Sequence, residues 1–186
     1  MQINAPEEYS ILGLLKSRSM HGYEMFQQLE QGTLGQIIRL EMSQMYGLLK
    51  KLEKLGYIET TQETLGARPP RKIHSLTPSG DAVLQAWLTR PVEKPRDIRI
   101  VFLIKLYFVQ KFLPHRIDEI INGEIAACNN FLHHLESKRR ANTSAEDAFF
   151  DHVVLRSRIH QTHALLEWMH ELQKELQATH ALSNAP

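Results

Sequence analysis

The pattern that most constrains this chain is a single paired β signal inside an otherwise helical sequence. Tyr57-Ile58-Glu59-Thr60-Thr61 is rich in β-formers, Gly66-Ala67-Arg68-Pro69-Pro70 is turn material, and Lys72-Ile73-His74-Ser75-Leu76 reads as a second short strand. Together they predict a hairpin with a basic tip. Helices precede it. Ile11, Leu12, Leu14 and Leu15 give the block Tyr9 to Lys16 one buried face. A second helix runs from Tyr23 to Glu30, with Met25, Phe26 and Leu29 inward and Gly32 as its stop. A third begins at Met42 or Ser43 and ends at Gly56. After the hairpin, Thr77-Pro78 supplies an N-cap and a first-turn proline for a fourth helix carrying Val83, Leu84, Trp87 and Leu88. Three helices and a hairpin make a winged helix-turn-helix, whose third helix enters a major groove while the wing touches the backbone.

The proline-punctuated run from Arg90-Pro91 to Lys94-Pro95 marks a boundary, dividing the chain into 1–90 and 91–186. Beyond it everything reads helical: 97–113, stopped by Pro114, then 115–140, then 145–177 with Ser144 as N-cap. The expected fold is therefore mainly α, an N-terminal winged helix-turn-helix followed by an all-helical dimerisation domain. The last helix would be roughly 50 Å long at 1.5 Å per residue. Its apolar arc of Leu155, Ile159, Leu165, Leu166, Met169, Leu172 and Leu176 exceeds what a lone monomer would leave exposed. An isologous homodimer would bury it. Such a dimer sets two third helices about one DNA turn, ~34 Å, or a multiple of it apart, and so calls for inverted half-sites.

Composition removes several classes. The one cysteine, Cys128, excludes an internal disulfide, and no CxxC is present for zinc or redox chemistry. The opening MQINAPEEYS has neither the basic nor the apolar region of a signal peptide. The most lipophilic stretch, Ile100 to Val109, is about half the ~20 residues of a membrane span and contains Lys105. A cytoplasmic protein without a membrane partner is expected.

The net charge of +1 points to no partner, but its distribution does. Between 43 and 72, Lys50, Lys51, Lys54, Arg68, Arg71 and Lys72 face only Glu53, Glu59 and Glu63. On the third helix Met45, Leu48, Leu49, Leu52 and Leu55 form a core stripe, which sets Ser43, Tyr46, Gly47, Lys50, Lys51 and Lys54 on the opposite side. Lysines there can neutralise phosphates and release counterions. Ser43 and Gln44 stand at the helix N-terminus, where free N–H groups suit a phosphate and short side chains reach base edges. An outward Gly47 lets the backbone approach DNA closely, at about 1 kcal/mol of helix stability relative to Ala. Arg68, Arg71 and Lys72, held open by Pro69 and Pro70, suit phosphates beside a minor groove or an arginine reaching into it.

These residues also resemble a known family. Ile11-Leu12-Gly13-Leu14-Leu15, His21-Gly22-Tyr23-Glu24, and Tyr46-x-x-Leu49-x-x-Leu52-Glu53-x-x-Gly56-Tyr57-Ile58 look like the PadR family of winged-helix transcriptional regulators. Arg68 to Lys72 and Leu76-Thr77-x-x-Gly80 match its wing and post-wing helix. Trp87-Leu88-x-x-Pro91, Pro95-Arg96-x-x-Arg99 and Phe102-Leu103-x-Lys105-Leu106 are similar to the join with its longer, virulence-activator-like C-terminal domain. The resemblance implies a cytoplasmic homodimer that binds a double-stranded operator, usually as a repressor, and is often released by a small-molecule effector. It makes Ser43, Gln44 and Tyr46 DNA-facing and Arg68 to Lys72 the wing. Gly47 departs from the family's usual proline, as does the loop from Gly35 to Met42, while Tyr23 fits either a core edge or a phosphate contact.

Enzyme signals are weak. Gly32-x-x-Gly35 lacks the third glycine and the lysine of a nucleotide loop, and no Gly-x-Ser-x-Gly elbow exists. Cys128, among Ala126, Ala127 and Phe131, reads as a small core residue. No cofactor is expected. His160, His163, Glu167 and His170 share a helical face with metal-ligand spacing, but that is the polar face, where solvated side chains are the default. An effector cavity is expected near Trp87, Phe102 or Phe108. The rival reading is a protein-interaction adaptor using its winged helix without DNA, against which the lysine face speaks.

Overall fold

The structure is a computed structural model that describes residues 3–63, 71–141 and 148–183. It divides into two units: Met1–Arg90 with Ile98–Pro114, and Pro91–Asp97 with His115–Pro186.

In the first unit, helix α1 (Pro6–Ser17) buries Ile11, Leu12, Gly13, Leu14 and Leu15 in succession. Five adjacent positions sweep the whole circumference of a helix, so α1 is enclosed on every side. Strand β1 (Met20–His21) leads into α2 (Gly22–Gln31), a short 3-10 turn (Thr33–Gln36) and α3 (Met42–Lys54). The wing follows as β2 (Ile58–Glu63) and β3 (Arg71–Leu76), antiparallel, with Ile58 opposite Leu76 and Glu63 opposite Arg71. β1 adds to the far edge of β3, giving the order β1-β3-β2. The sequence does not announce β1, because two residues are too few to show alternation.

The wing and α4 (Pro78–Thr89) are locked to the end of α3. Gly56 closes that helix with φ of +73°, the left-handed turn that glycine adopts freely. Thr77 caps α4 by accepting from the Gly80 N–H at 3.1 Å, while its hydroxyl donates to the Gly56 carbonyl at 2.7 Å.

Helix α5 (Ile98–Phe112) lies beyond the proline linker and groups with this first unit by its contacts. Its fully buried Phe108 ring packs on Gly13, where an added Cβ would come within 2.3 Å of the ring. Phe102 is likewise sealed, and Trp87 stacks on Tyr9 with ring centroids 4.2 Å apart. Lys105, only 2% exposed, donates to the Arg90 carbonyl and sits 5.0 Å from the Trp87 ring. Of the rings expected to border an effector cavity, Phe102 and Phe108 are thus covered by protein and Trp87 is half-buried.

The second unit is a helical hairpin, α6 (Ile117–Ala141) and α7 (Ala148–Ser183), preceded by the linker. Ile121, Ile125, Cys128, Leu132 and Leu135 of α6 are buried, as are Ile159, Thr162, Leu166 and Met169 of α7. Leu166 and Met169, expected to form a seam between subunits, therefore pack inside the chain. Burial, and to a smaller degree Glu124, pushes the Cys128 thiol up to about 12, the state of an inert core residue. The expected cap Ser144 lies outside the described residues. Among the described residues no helix is long and apolar enough to cross a membrane.

Gly13→Ala should destabilise the protein by about 1–3 kcal/mol through overpacking against Phe108. Thermal denaturation checks this, and adding Phe108→Leu should recover part of the loss.

Candidate nucleic-acid interface

Helix α3 is seated by Met45, Leu49 and Leu52, each at most 2% exposed. Its opposite face is open: Ser43, Gln44, Tyr46, Gly47, Lys50 and Lys54 are all exposed. Tyr46, 53% exposed, lies over Gly22, where an added Cβ would be 3.0 Å from the ring. This contact brings Tyr46 beside the start of α2, next to the exposed Tyr23, whose hydroxyl accepts from Gln27 Nε2 at 3.2 Å. Tyr23, 57% exposed, is not a core-edge residue. Gly47 faces open space, with nothing within 4 Å of an added Cβ and no positive φ. Packing gives no reason for glycine here.

Two expected contact residues have intramolecular partners. Lys51 turns away from the open face and pairs with the carboxylate of Glu8, which is wholly buried at the start of α1. The other carboxylate oxygen of Glu8 accepts from the N–H groups of Asn4 and Ala5 at 2.9 and 3.0 Å. Lys51 thus neutralises a buried acid. Gln44 remains exposed, but its side-chain carbonyl accepts from the Glu41 N–H at 3.0 Å, closing the first turn of α3. Only its amide NH2 is left to donate outward.

At the wing, Arg71 and Lys72 are exposed on β3, while Arg68 lies outside the described residues. Glu63 stands opposite Arg71 in the strand register. The base of the wing is pinned by two histidines. His21 Nδ1 donates to the Lys72 carbonyl at 3.0 Å, and His74 Nδ1 is 2.9 Å from Thr60 Oγ1. Burial holds the His74 pKa below its usual 6.5; Glu53 opposes the shift, and Lys72 and His21 add to it. On α7, His160, His163, Glu167 and His170 are all exposed, and no group of metal-ligating side chains is found among the described residues.

Residues 11–86 match the transcriptional regulator PadR-like family, and residues 98–177 match the virulence activator alpha C-terminal family. The negative transcriptional regulator PadR of Bacillus subtilis is 30% identical over 118 residues, covering 63% of this chain and 64% of that protein. The chain thus spans just under two thirds of that relative. A probable transcriptional regulator of Mycobacterium tuberculosis is 22% identical over 184 residues, covering 91% of this chain and 96% of that protein. Among solved structures, Bacillus subtilis PadR in complex with operator DNA is 25% identical, with a TM-score of 0.47, covering 92% of this chain and 99% of that one.

Two outcomes follow from the geometry. Lys51→Ala should cost about 1–3 kcal/mol by stranding the buried Glu8 carboxylate, measurable by urea denaturation. Because the folded His74 pKa lies below 6.5, the unfolded chain binds more protons in acid. The stability linked to His74 is full above pH 6.5 and is lost as pH falls below it. A His74→Gln variant should show a shallower fall in melting temperature across that window.

Proposed function

We propose that this chain, whose residues 11–86 match the transcriptional regulator PadR-like family, binds an inverted-repeat operator as a homodimer and represses transcription. The observation that carries this reading is the open face of α3. Tyr46, Lys50 and Lys54 project from it around Gly47, whose lack of a side chain serves no internal contact. A glycine there has a use if a second surface, the floor of a major groove, comes close. The lysines supply phosphate neutralisation, and Ser43 and the free amide of Gln44 supply hydrogen bonds to bases or phosphates. Arg71 and Lys72 add the flanking backbone contact.

A dimer is supported by a second apolar stripe on α7. Phe150, Val154, Leu165 and Leu172 recur at helical spacing beside the stripe that packs inside the chain. Phe150 is 70% exposed and the other three are half-buried. Light scattering should report twice the 21.5 kDa chain mass, and Phe150→Glu with Leu172→Glu should give monomers that bind the operator weakly.

A small-molecule effector is the second part of the reading, favoured by a cavity of about 270 Å3 in the second unit. Phe131 and Leu165 give it an apolar wall, and at its rim Lys94, Arg96 and Arg158 outnumber the acid Glu93, a balance suited to a small amphipathic anion. Lys94 and Arg96 lie in the linker that runs between α4 and α5, so a ligand gripping them acts on the chain that joins two helices of the DNA-binding unit.

The deciding experiment uses an operator selected from random duplexes. Gly47→Ala should raise thermal stability by about 1 kcal/mol yet weaken operator binding at least about tenfold. Lys50→Ala with Lys54→Ala should weaken binding across all sequences and lower the salt slope by about one unit per phosphate lost. Operator affinity unchanged in both variants contradicts the reading.

A further inference from the structure

A second cationic cleft lies between α6 and α7, away from the cavity just described. It encloses about 570 Å3 and is lined by Glu136 and Arg139 of α6 and by His152, Arg156, Ile159, His160 and His163 of α7. Three imidazoles in one cleft suggest a cation site at first sight, since neutral histidine is a common metal ligand. The two guanidiniums reverse that sign. Arginine stays positively charged throughout the working pH range and repels a metal ion from the same space. Among the described residues the one carboxylate in the lining, Glu136, is 3.8 Å from Arg140, so part of its charge is already engaged. Among the described residues neither Arg139 nor Arg156 forms an ion pair. The cleft therefore gathers hydrogen-bond donors and two guanidiniums against a single, partly engaged acid.

We propose that this α6–α7 cleft is an anion site that takes a phosphate group, with Arg139 and Arg156 gripping it from the two helices and His152, His160 and His163 donating N–H bonds around it. Planar guanidiniums match phosphate oxygens two at a time, and imidazole N–H groups complete the shell of a tetrahedral anion. The buried Ile159 forms an apolar floor. The volume is larger than a bare phosphate needs and lies within the range of small-molecule sites, which suits a phosphate ester as well as the free ion. A bridge between Arg139 and Arg156 ties the two helices together at the end of the hairpin remote from the 2.7 Å Gln173–Asn122 hydrogen bond.

Calorimetric titration of the full-length protein, without DNA, tests this independently of operator binding. The probes are inorganic phosphate and adenosine 5′-monophosphate, with acetate as control, at ionic strength held constant with chloride. One saturable site per chain is expected for a phosphate-bearing probe, with none for acetate. Equal affinity for the two probes identifies the free ion as sufficient, and tighter binding of the nucleotide identifies an ester. Arg139→Gln with Arg156→Gln should weaken binding at least about tenfold, because both charge-assisted contacts are lost. Lys94→Gln with Arg96→Gln, in the separate cavity, should leave it unchanged. The arginines are exposed, so helicity by circular dichroism should persist. If it does not, His160→Gln with His163→Gln carries the same test, with a loss of about threefold or more expected. Heats no greater than those of acetate, or wild-type affinity in a folded cleft variant, overturn the proposal.

Discussion

The first unit depends on the enclosure of α1. A helix buried around its whole circumference needs a partner on each side, and each partner becomes an element of the winged helix. Gly13 makes room for the α5 ring Phe108, Tyr9 meets Trp87 of α4 face to face, and Lys16 pairs with Asp81 at the start of α4. The burial of Ile11, Leu12, Leu14 and Leu15 stabilises this arrangement by about 1.5–3 kcal/mol for each large apolar side chain. The polar contacts at the helix ends set direction more than strength.

One of those polar contacts reaches α3, whose open face is the surface proposed to meet DNA. Glu8 sits at the N-terminus of α1, where backbone N–H groups and the helix dipole favour a carboxylate, and its second oxygen holds Lys51 of α3. This pair connects the most enclosed helix to the most exposed one. It fixes α3 from the side while Met45, Leu49 and Leu52 fix it from below. In the proposed role that rigidity would matter, because a helix that reads bases must hold its side chains in register with base edges. Tyr46, resting on Gly22, extends the same rigid surface to the start of α2.

Much of this architecture was legible in the sequence because it is punctuated by residues with strong local preferences. Gly32, Gly56 and Thr77-Pro78 mark helix ends that the structure reproduces within about two residues. What remained hidden depended on long-range partners. A helical wheel places Lys51 on the outer side of α3, but only the fold reveals the buried Glu8 that draws it back. Gln44 looks like a free reading residue until the N–H of Glu41 claims its oxygen. The prolines from Pro91 to Pro95 read as a domain boundary, although the next helix returns to fill the space above Gly13. On α7 the apolar arc is wide enough for two faces, and periodicity does not say that Leu166 and Met169 serve the inner one.

The central claim is that the open face of α3, with Tyr23 beside it and Arg71 and Lys72 at the wing, is the surface that meets DNA. Amide chemical-shift mapping on the full-length protein, with and without a selected operator duplex, tests it most directly. The account predicts that the largest changes fall between Ser43 and Lys54, at Gly22–Tyr23 and at Arg71–Lys72. Changes confined to α6 and α7, with the α3 amides unmoved at saturating operator, would contradict it.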